Sequence, residues 1–375
     1  MSVEWPFYEQ RHRDLATKLE AWASTNLSAT HDPDIDATCR RLVREVGAAG
    51  FLELCIGASH IPDVRSLAIA RETLAYHSGL ADFAFAMQGL GSGSISLAGS
   101  PEQKATWLPK VAAGEAIAAF AMTEPETGSD AANIAMTARA DGGSYLLDGE
   151  KTYISNGGIA DFYTVLARTG DGERARGLSM FIVTADDPGL AVAERIEVIA
   201  PHPLARLKFE GVRGELIGAS GAGFAIAMQV LTLFRVTVAA AALGFARRAL
   251  DEAIAFSATR KLGNETLADN AVTQARLADM ATSIDASALL IARAGWQQDT
   301  QPSDNRRAAA IAKLYATESA QEVIDAAVQL HGGMGVTKGA IVESLYREIR
   351  ALRIYEGASE VQRQIIARDL LKARR

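Results

Sequence analysis

The stretch SYLLDGEKTYISNGG, residues 144–158, decides how this chain is organised. It combines β-branched and aromatic residues with Asp-Gly and Asn-Gly dipeptides, a pattern that is typical of short strands joined by tight turns. Runs of the same kind lie nearby, in DFYTVLAR, GLSMFIVT, GLAVAERIEVI and LARLKFEGV. We therefore predict a middle β domain over residues 116–220.

Helical periodicity lies on both sides of this domain. Residues 1–115 place apolar side chains three or four positions apart and give little strand signal. Residues 221–375 return to that period in four long blocks, which predicts a helical bundle. The predicted breaks are Gly263-Asn264, Gln301-Pro302, Gly332-Gly333 and Gly357. The fold class is therefore α+β and multidomain, and the order of helices, strands and helices excludes a doubly wound sheet.

The first block of the bundle, residues 223–256, is apolar nearly all round until Arg247. A helix of this kind must be covered on every side. Because one bundle offers too little cover, we predict that this helix forms an oligomer interface. Residues 216–234 carry no charge, but only the part after Gly223 is predicted to be helical, and that part is too short to span a bilayer.

Composition limits the class of protein. A chain of 375 residues exceeds what one hydrophobic core usually serves, and 49% apolar and 22% charged residues are ordinary for a soluble globular protein. The net charge of −7 argues against a nucleic-acid partner, which requires a concentrated basic surface.

Cys39 and Cys55 support neither a disulfide framework nor a zinc site. With no apolar signal segment at the N-terminus, we expect a cytoplasmic protein without a membrane anchor.

Two glycine-rich segments are candidates for ligand-binding loops. In GLGSG, residues 89–93, the third glycine comes too early for a dinucleotide loop and no strand precedes it, so we predict a flexible connection between helices. In QLHGGMG, residues 329–335, three glycines within four positions permit close approach of a ligand to the backbone. His331 there fits a capping or packed histidine better than a catalyst.

The loop AMTEPETGSD, residues 121–130, has three interpretations. Its amides and hydroxyls suit a polar heterocycle, and the same residue types suit a solvated turn. A divalent-metal site on Glu124, Glu126 and Asp130 ranks lowest, because the spacing is not that of a calcium loop. We predict no bound metal.

Strand residues 149–157, GEKTYISNG, place Tyr153 and Ser155 on one face. An aromatic ring beside a hydroxyl suits one wall of a planar cofactor site, and ordinary sheet packing explains the pair equally well.

The stretch RALRIYEGASE, residues 350–360, places an acid on a turn. Ser359 and Gln362 have the spacing of a capping box, so a new helix is predicted to begin at Ser359. Tyr355 and Ile354 would raise the pKa of the Glu356 carboxyl toward that of a general base. The alternative is a solvated acid paired with Arg353 or Arg350.

In this order, the five segments 121–130, 149–158, 216–235, 329–335 and 354–360 resemble the acyl-CoA dehydrogenase family over nearly the whole chain. The resemblance implies an α-helical domain, a β-barrel domain and a four-helix bundle. It also implies a homotetramer or homodimer with FAD between subunits, an acyl-CoA substrate and transfer of electrons to an electron-transfer flavoprotein.

The resemblance assigns roles to particular positions. Glu356 matches the catalytic base, which takes the α-proton as the β-hydrogen leaves as hydride to the flavin. Positions that match cofactor contacts are Phe120, Met122, Thr123, Gly128, Ser129, Tyr153, Ser155, Arg260, Gln329, Gly332, Gly333 and Ala358. Positions that match substrate contacts or their support are Ser129, Arg235 and Tyr355.

Some positions depart from the family pattern. Phe234 stands where some members place the base, which leaves Glu356 as the candidate. Tyr153 replaces a usual Trp, and Gly263 replaces a Phe that follows Arg260. Glu348 stands where an Asp commonly follows the Arg, a conservative change. An enzyme acting on carrier-protein thioesters, an acyl-CoA oxidase and a non-catalytic flavin-binding protein remain alternatives.

Overall fold

The computed structural model describes residues 3–28, 34–57, 61–170, 172, 174–301 and 305–372. Their contacts define two compact units. Unit 1 comprises Met1–His31, Val64–Asp82 and Leu233–Arg375, and unit 2 comprises Asp32–Asp63 and Phe83–Thr232. The predicted boundaries at residues 115 and 220 follow the change in secondary structure, and they stay a prediction.

The N-terminal segment is helical, as predicted. Its helices are α1 (Gln10–Asn26), α2 (Ile35–Ala48), α3 (Glu53–Ile56), α4 (Val64–His77), α5 (Gly79–Ala98) and α6 (Pro101–Ala112). Helix α6 begins with Ser100 as its cap, whose hydroxyl accepts the N–H of Gln103 while the Gln103 side chain accepts the N–H of Ser100. This reciprocal pair satisfies two N–H groups that would otherwise lack a partner at the helix start.

The middle segment forms a closed β-barrel with two additional strands. Its strands are β1 (Ala118–Ala121), β2 (Thr137–Asp141), β3 (Ser144–Ser155), β4 (Phe162–Arg168), β5 (Leu178–Thr184), β6 (Leu190–Arg195) and β7 (Leu204–Ile217). Strand β4 pairs with both β2 and β5, and the ring continues through β3 and β7. Strands β1 and β6 pair with β4 and β7 outside the ring. Closure removes the exposed edges that an open sheet would present.

The C-terminal segment is a set of helices with a small hairpin. The elements are α7 (Gly223–Thr259), β8 (Lys261–Leu262), β9 (Glu265–Thr266), α8 (Ala271–Thr300), α9 (Arg306–His331), α10 (Ile341–Leu352) and α11 (Ser359–Lys372). Each predicted break separates two of these elements, although residues 302–304 lie outside the described residues. Three helices are long and two are short, because Gly332 and Gly357 divide the last part of the chain into shorter pieces.

The part of α7 that belongs to unit 1 is largely covered by that unit, which removes the reason for predicting an oligomer interface there. Residues 236–243, together with Phe245 and Ala246, are at most 3% exposed, and all of them except Thr237 belong to one apolar core with residues of α4, α8, α9 and α10. Small alanine side chains let the neighbouring helices pack closely on all sides of α7. The apolar surface of residues 236–246 therefore carries no argument for a second subunit, and the oligomer stays a prediction.

Helix α7 is also longer than the uncharged segment suggested. At 37 residues it is long and apolar enough to cross a membrane by composition, whereas 83% of its most apolar window is buried in the protein. A core helix of a globular protein passes the same test of length and composition, so the length alone indicates no membrane span.

The GLGSG segment is neither a phosphate loop nor a helix connection, so the predicted flexible link is wrong. It lies inside helix α5. A Cβ added to Gly91 would lie 2.7 Å from both the Ala118 Cβ and the Ala119 nitrogen of β1. A Cβ at Gly93 would lie 3.0 Å from Val230 Cγ1. These glycines serve close packing of the helix, which local sequence patterns do not distinguish from a flexible loop.

We expect Gly91→Ala to destabilise the protein by about 1–3 kcal/mol, because the added methyl overlaps backbone atoms that cannot rotate away. Urea denaturation of the purified variant measures this loss. Gly170→Ala is the control, since an added Cβ there meets no atom within 4 Å. Equal stability of the Gly91 variant and the natural protein would contradict the packing argument.

Candidate active site

Glu356 lies in the turn between α10 and α11, as predicted. Its φ is 51°, and the φ of Gly357 is 93°. A residue other than glycine pays roughly 1–2 kcal/mol for this left-handed conformation. Strain of this kind persists only where the surroundings impose it, and it often accompanies function. The turn is thus held in a specific shape that orients the Glu356 side chain.

The carboxyl group of Glu356 is enclosed, although the residue as a whole is half-buried. Its Oε2 has no hydrogen-bond partner among the described residues and almost no accessible surface. Burial raises the pKa of this carboxyl, and the charges of Arg71, Lys313 and Arg235 oppose the rise. The negative charge of Asp82 adds to it. A carboxylate with a raised pKa and an unused oxygen has the properties of a general base.

The alternative interpretation of Glu356, a surface ion pair with Arg353 or Arg350, is not observed among the described residues. Arg353 instead pairs with Glu318, at 2.6 Å. The pKa of the Glu356 carboxyl is raised, as predicted. The cover that excludes water from it was expected from Tyr355 and Ile354, and this expectation is only partly met. Ile354 is 58% exposed, so this neighbour offers little cover. The charges that act on Glu356 come from helices that are distant in sequence.

Arg71 and Asp82 form a buried ion pair in the same unit. Arg71 Nε and Nη2 donate to the two carboxylate oxygens of Asp82 at 2.8 and 2.7 Å, and Nη1 donates to Thr237 Oγ1 at 3.1 Å. Burial acts to lower the pKa of Arg71, but Asp82, Tyr355 and Glu356 together outweigh it, so the pKa is raised. Arg71 is therefore a fixed cation. No motif in the sequence indicated this pair, because its partners lie on different helices.

Arg235 is the second cation of this group. It lies on α7, is 5% exposed, and its Nε has no hydrogen-bond partner among the described residues. Burial lowers the pKa of Arg235, and Glu356 raises it in part. A buried guanidinium near a carboxylate supports the charged form of that carboxylate. Its predicted part in substrate binding stays a prediction.

Glu348 is a second carboxyl with a raised pKa. Burial raises its pKa to about 7, Arg347 opposes the rise, and Asp82 adds to it. A Cβ built on Gly79 would lie 2.8 Å from the carboxyl carbon of Glu348, so only glycine fits at that position without a shift. The carboxyl group of Glu348 thus packs directly against Gly79, and the conservative character of the change from Asp stays a prediction.

The capping box predicted at Ser359 and Gln362 is not formed, although α11 begins at Ser359 as predicted. The Ser359 hydroxyl donates to Glu318 instead. Gln362 Nε2 donates to the carbonyl of Gly357 at 2.7 Å. Ser359 thus takes a tertiary partner, and Gln362 connects the start of α11 to the turn that holds Glu356.

The other candidate residues of unit 1 lie mostly on exposed surface. Arg260, before the β8–β9 hairpin, and Gln329 at the end of α9 are exposed, and an added Cβ at Gly332 or Gly333 meets no atom within 4 Å. Their backbone is open to a ligand. His331 stacks on Phe256 with ring centroids 4.4 Å apart, which confirms the packed interpretation of this histidine.

In unit 2, the loop 121–130 is fastened to β3 by a buried ion pair. Lys151 Nζ donates to Glu124 Oε1 and to the Met122 carbonyl, both at 2.9 Å. Glu124 also accepts the N–H groups of Ala135 at 2.7 Å and Met136 at 2.9 Å. Burial lowers the pKa of Lys151 to about 8, and Glu124 opposes this. The interpretation of this loop as a metal site thus loses Glu124, whose oxygens are already occupied.

Tyr153 lies on a β-bulge rather than on a regular strand. The pairing of β3 with β7 shifts between Lys151 and Ile154, and the φ of Tyr153 is 54°. The Tyr153 side chain is 63% exposed beside buried Ile154, and Ser155 is half-buried. Thr152 donates its N–H to the Thr123 carbonyl at 2.9 Å, which brings the loop to the bulge. An exposed aromatic ring in this position is not explained by ordinary sheet packing.

The candidate residues thus form one set in each unit. Unit 2 carries Phe120, Met122, Thr123, Gly128, Ser129, Tyr153 and Ser155. Unit 1 carries Arg235, Arg260, Gln329, Gly332, Gly333, Tyr355, Glu356 and Ala358. Gly128 and Ser129 are exposed, whereas Phe120, Met122, Thr123 and Ala358 are half-buried.

We expect Lys151→Met to destabilise the protein by about 3–5 kcal/mol, because Glu124 would keep a buried charge without its cation. Denaturation by urea measures the loss. Adding Glu124→Gln removes that charge and should recover part of the stability. A single variant that is as stable as the natural protein would show that the pair does not fasten the loop.

We expect Glu348→Gln to raise the melting temperature by roughly 2–4 °C at about pH 8 and to leave it unchanged at about pH 5. The folded pKa of Glu348 is about 7, above its usual 4.5, so the folded state loses stability as pH rises between these values. Glu322→Gln on the exposed face of α9 is the control. An equal effect of Glu348→Gln at both pH values would exclude this account.

Family models match the three segments of the chain. They are "Acyl-CoA dehydrogenase, N-terminal domain" over residues 9–115, the middle domain over residues 119–212, and the C-terminal domain over residues 221–371. These matches cover most of the sequence.

Named relatives extend over much of the chain. It is 33% identical over 380 residues to 3-(aryl)acrylate reductase of Clostridium sporogenes, covering 98% of this chain and 100% of that protein. It is 39% identical over 288 residues to the mitochondrial short-chain specific acyl-CoA dehydrogenase of Bos taurus, covering 76% of this chain and 70% of that protein.

Solved structures share the fold. A chain in "Electron transferring flavoprotein of Acidaminococcus fermentans: Towards a mechanism of flavin-based electron bifurcation" matches with a TM-score of 0.90 and 31% identity, over 97% of this chain and 98% of that chain. Glutaryl-CoA dehydrogenase from Mycobacterium smegmatis, in complex with FADH2, matches with a TM-score of 0.87 and 28% identity, over 97% and 95%. With its helical, β-barrel and helical segments, the chain belongs to the acyl-CoA dehydrogenase family of oxidoreductases.

Proposed function

We propose that this protein removes the α- and β-hydrogens of an acyl-CoA thioester and produces the trans-2-enoyl thioester, with Glu356 as the base. The observation that carries this proposal is the enclosed carboxyl of Glu356, whose Oε2 lacks a hydrogen-bond partner among the described residues. Its raised pKa and its strained turn support the same role.

The chemistry explains why such a base is needed. The α-proton of a thioester is weakly acidic, so its removal requires a base held in a site with little water and groups that polarise the thioester carbonyl. Glu356 takes this proton as the Cα–H bond breaks. The Cβ–H bond breaks with departure of a hydride, and the double bond forms between the two carbons. The backbone N–H of Glu356 is the proposed donor to the thioester oxygen.

FAD is the proposed cofactor, and the residues present fit it. Exposed Tyr153 offers an aromatic platform, and Gly332 and Gly333 leave backbone open to a ligand. Thr123 and Ser129 add hydroxyl groups. When bound, FAD supplies the acceptor for the hydride. The named complex of a family member with FADH2 supports this cofactor.

Other residues contribute to binding in this proposal. Phe120, Met122, Gly128 and Ser155 hold the cofactor together with Tyr153. Further cofactor contacts are Arg260, Gln329 and Ala358, which belong to unit 1. Some of these contacts are made by a neighbouring subunit. Ser129, Arg235 and Tyr355 contact the substrate or support its position.

An electron-transfer flavoprotein is the proposed electron acceptor, and the structural match to a chain in the Acidaminococcus fermentans study supports it.

We also propose a homotetramer or homodimer, in keeping with exposed apolar side chains such as Val272 and Val336. We also propose a cytoplasmic location, in keeping with the buried, reduced thiols of Cys39 and Cys55. Light scattering of the purified protein measures the oligomeric state.

A second candidate is the reverse reaction, reduction of an unsaturated acyl group. The observation that favours it is the relative named 3-(aryl)acrylate reductase. In that direction Glu356 gives its proton to the α-carbon. Anaerobic mixing of the dithionite-reduced protein with enoyl-CoA or 3-arylacrylyl-CoA compounds separates the two directions by their relative rates.

We expect Glu356→Gln to lower the rate of dehydrogenation by about 10²–10⁴-fold, because a carboxamide cannot accept the α-proton. The measurement is anaerobic bleaching of the flavin by saturated acyl-CoAs that range from short straight chains to branched, cyclic and dicarboxylic ones. Glu360→Gln, on the exposed start of α11, is the control. Unchanged bleaching by the Glu356 variant with flavin bound would exclude Glu356 as the base.

The same assay separates the remaining alternatives. Faster bleaching by a carrier-protein thioester than by its CoA equivalent would favour a carrier-protein substrate. Peroxide formation at the rate of turnover in air would favour an oxidase. A purified protein that stays colourless and gains no melting temperature from added FAD would favour a non-catalytic relative.

A further inference from the structure

The turn that holds Glu356 is attached to helices on both sides through one carbonyl group. The Gly357 oxygen accepts a hydrogen bond from Lys313 Nζ of α9 at 2.9 Å and another from Gln362 Nε2 of α11 at 2.7 Å. Both donor residues are 0% exposed. Two buried side chains therefore converge on the residue next to the base.

The turn needs support of this kind. Glu356 and Gly357 both have a positive φ, which the chain does not favour at Glu356. Gln362 Nε2 lies 3.4 Å from the Glu356 carbonyl as well, so the same amide covers both peptide groups. The hydrogen bonds compensate for the strained backbone and limit the directions in which the Glu356 side chain leaves it.

Glu318 adds a second attachment to α9. It accepts the Ser359 hydroxyl on one side of the turn and pairs with Arg353 on the other. The segment from residue 353 to residue 359 is thus held at its two ends and at its centre. Lys313 and Gln362 are the groups at the centre, next to the carboxyl.

Lys313 also brings a charge. Burial lowers the pKa of its ammonium group to about 8, and Glu356 is the first of the charges that oppose this. The ammonium forms no ion pair with a carboxylate among the described residues, and its hydrogen bond goes to the Gly357 carbonyl. Below about pH 8 a buried cation therefore lies close to the base.

We infer that Lys313 and Gln362 are positioning residues for Glu356: both hold the turn through the Gly357 carbonyl, and of these two residues only Lys313 adds a positive charge near the base. The inference rests on the proposed role of Glu356 as the base.

Lys313 is one of several charges around Glu356, and the others must stay in place in a test. Arg71 is held by Asp82, and Arg235 lies on α7. None of these side chains hydrogen-bonds to Gly357 in the described part of the chain. Substitution of Lys313 or Gln362 therefore removes no hydrogen bond between Gly357 and these two arginines, which stay in the protein as cations near Glu356.

Lys313→Met and Gln362→Met form a matched pair. Each removes one hydrogen bond to the same carbonyl and leaves a neutral, unbranched side chain, but only the first removes a charge. The second also removes the longer contact with the Glu356 carbonyl. Both variants should lower kcat, roughly 10- to 100-fold, because the base is held less accurately. Lys313→Arg, which keeps a donor and a charge at every working pH, should retain the acidic limb of the natural pH profile.

The pH profile of kcat/KM separates charge from hydrogen bonding. A cation favours the carboxylate form, so Lys313→Met should raise the pKa of Glu356 and move the acidic limb of the profile up by about one pH unit. Gln362→Met should leave that limb in place. The effect of Lys313 should fade above about pH 8, where its ammonium loses its proton.

Infrared titration gives the same quantity without turnover. The carboxyl signal of Glu356 is identified by subtracting the spectrum of Glu356→Gln, and its midpoint should rise in Lys313→Met alone. If the natural protein oxidises no acyl-CoA, the proposed function fails while this titration still tests the effect of Lys313. Equal midpoints in the two Met variants would overturn the inference. If Lys313→Met does not fold, Lys313→Gln, which keeps a donor without the charge, is expected to show the same rise, and an unchanged midpoint would overturn the inference.

Discussion

A buried carboxylate without a hydrogen-bond partner is unstable unless opposite charges lie close by. Unit 1 must therefore place cations near the carboxyl group of Glu356. Three cations meet this requirement, on three helices: Arg71 on α4, Arg235 on α7 and Lys313 on α9. Each of these cations is itself buried and needs a reason to stay in the interior. The packing of the helices supplies that reason, since it brings charges of both signs into one group.

The balance of charge around Glu356 is what makes the site suitable for proton transfer. Complete neutralisation would give an ordinary carboxylate and a weaker base, whereas a carboxyl without cations would stay protonated. Asp82 partly neutralises the charge of Arg71 through their bidentate ion pair, so Arg71 stabilises the Glu356 carboxylate less than a free cation would. Glu348, with its pKa of about 7, lies in the same group and extends it toward the start of α5.

The barrel of unit 2 also uses buried charged groups to hold an irregular segment in place. The Glu124–Lys151 pair and its backbone partners fix a loop that has no regular structure of its own, directly beside the β-bulge at Tyr153. In both units a buried ion or ion pair lies next to a residue with an unfavourable φ. Buried charge is thus used to hold irregular backbone in one conformation, which regular helices and strands could not provide.

The order of segments and most breaks between elements were determined by the sequence alone, because turn residues and hydrophobic periodicity act over a few neighbouring positions. The turn at Glu356 was predictable for the same reason. Tertiary structure decided the rest. Gly91 lies in α5 where β1 leaves no room for a side chain, Ser359 donates to Glu318 in place of a local cap, and the unit 1 part of α7 packs against other helices of that unit. The cations around Glu356 come from positions more than 40 residues away in the chain, and only the packing of helices brings such distant charges to one carboxyl group.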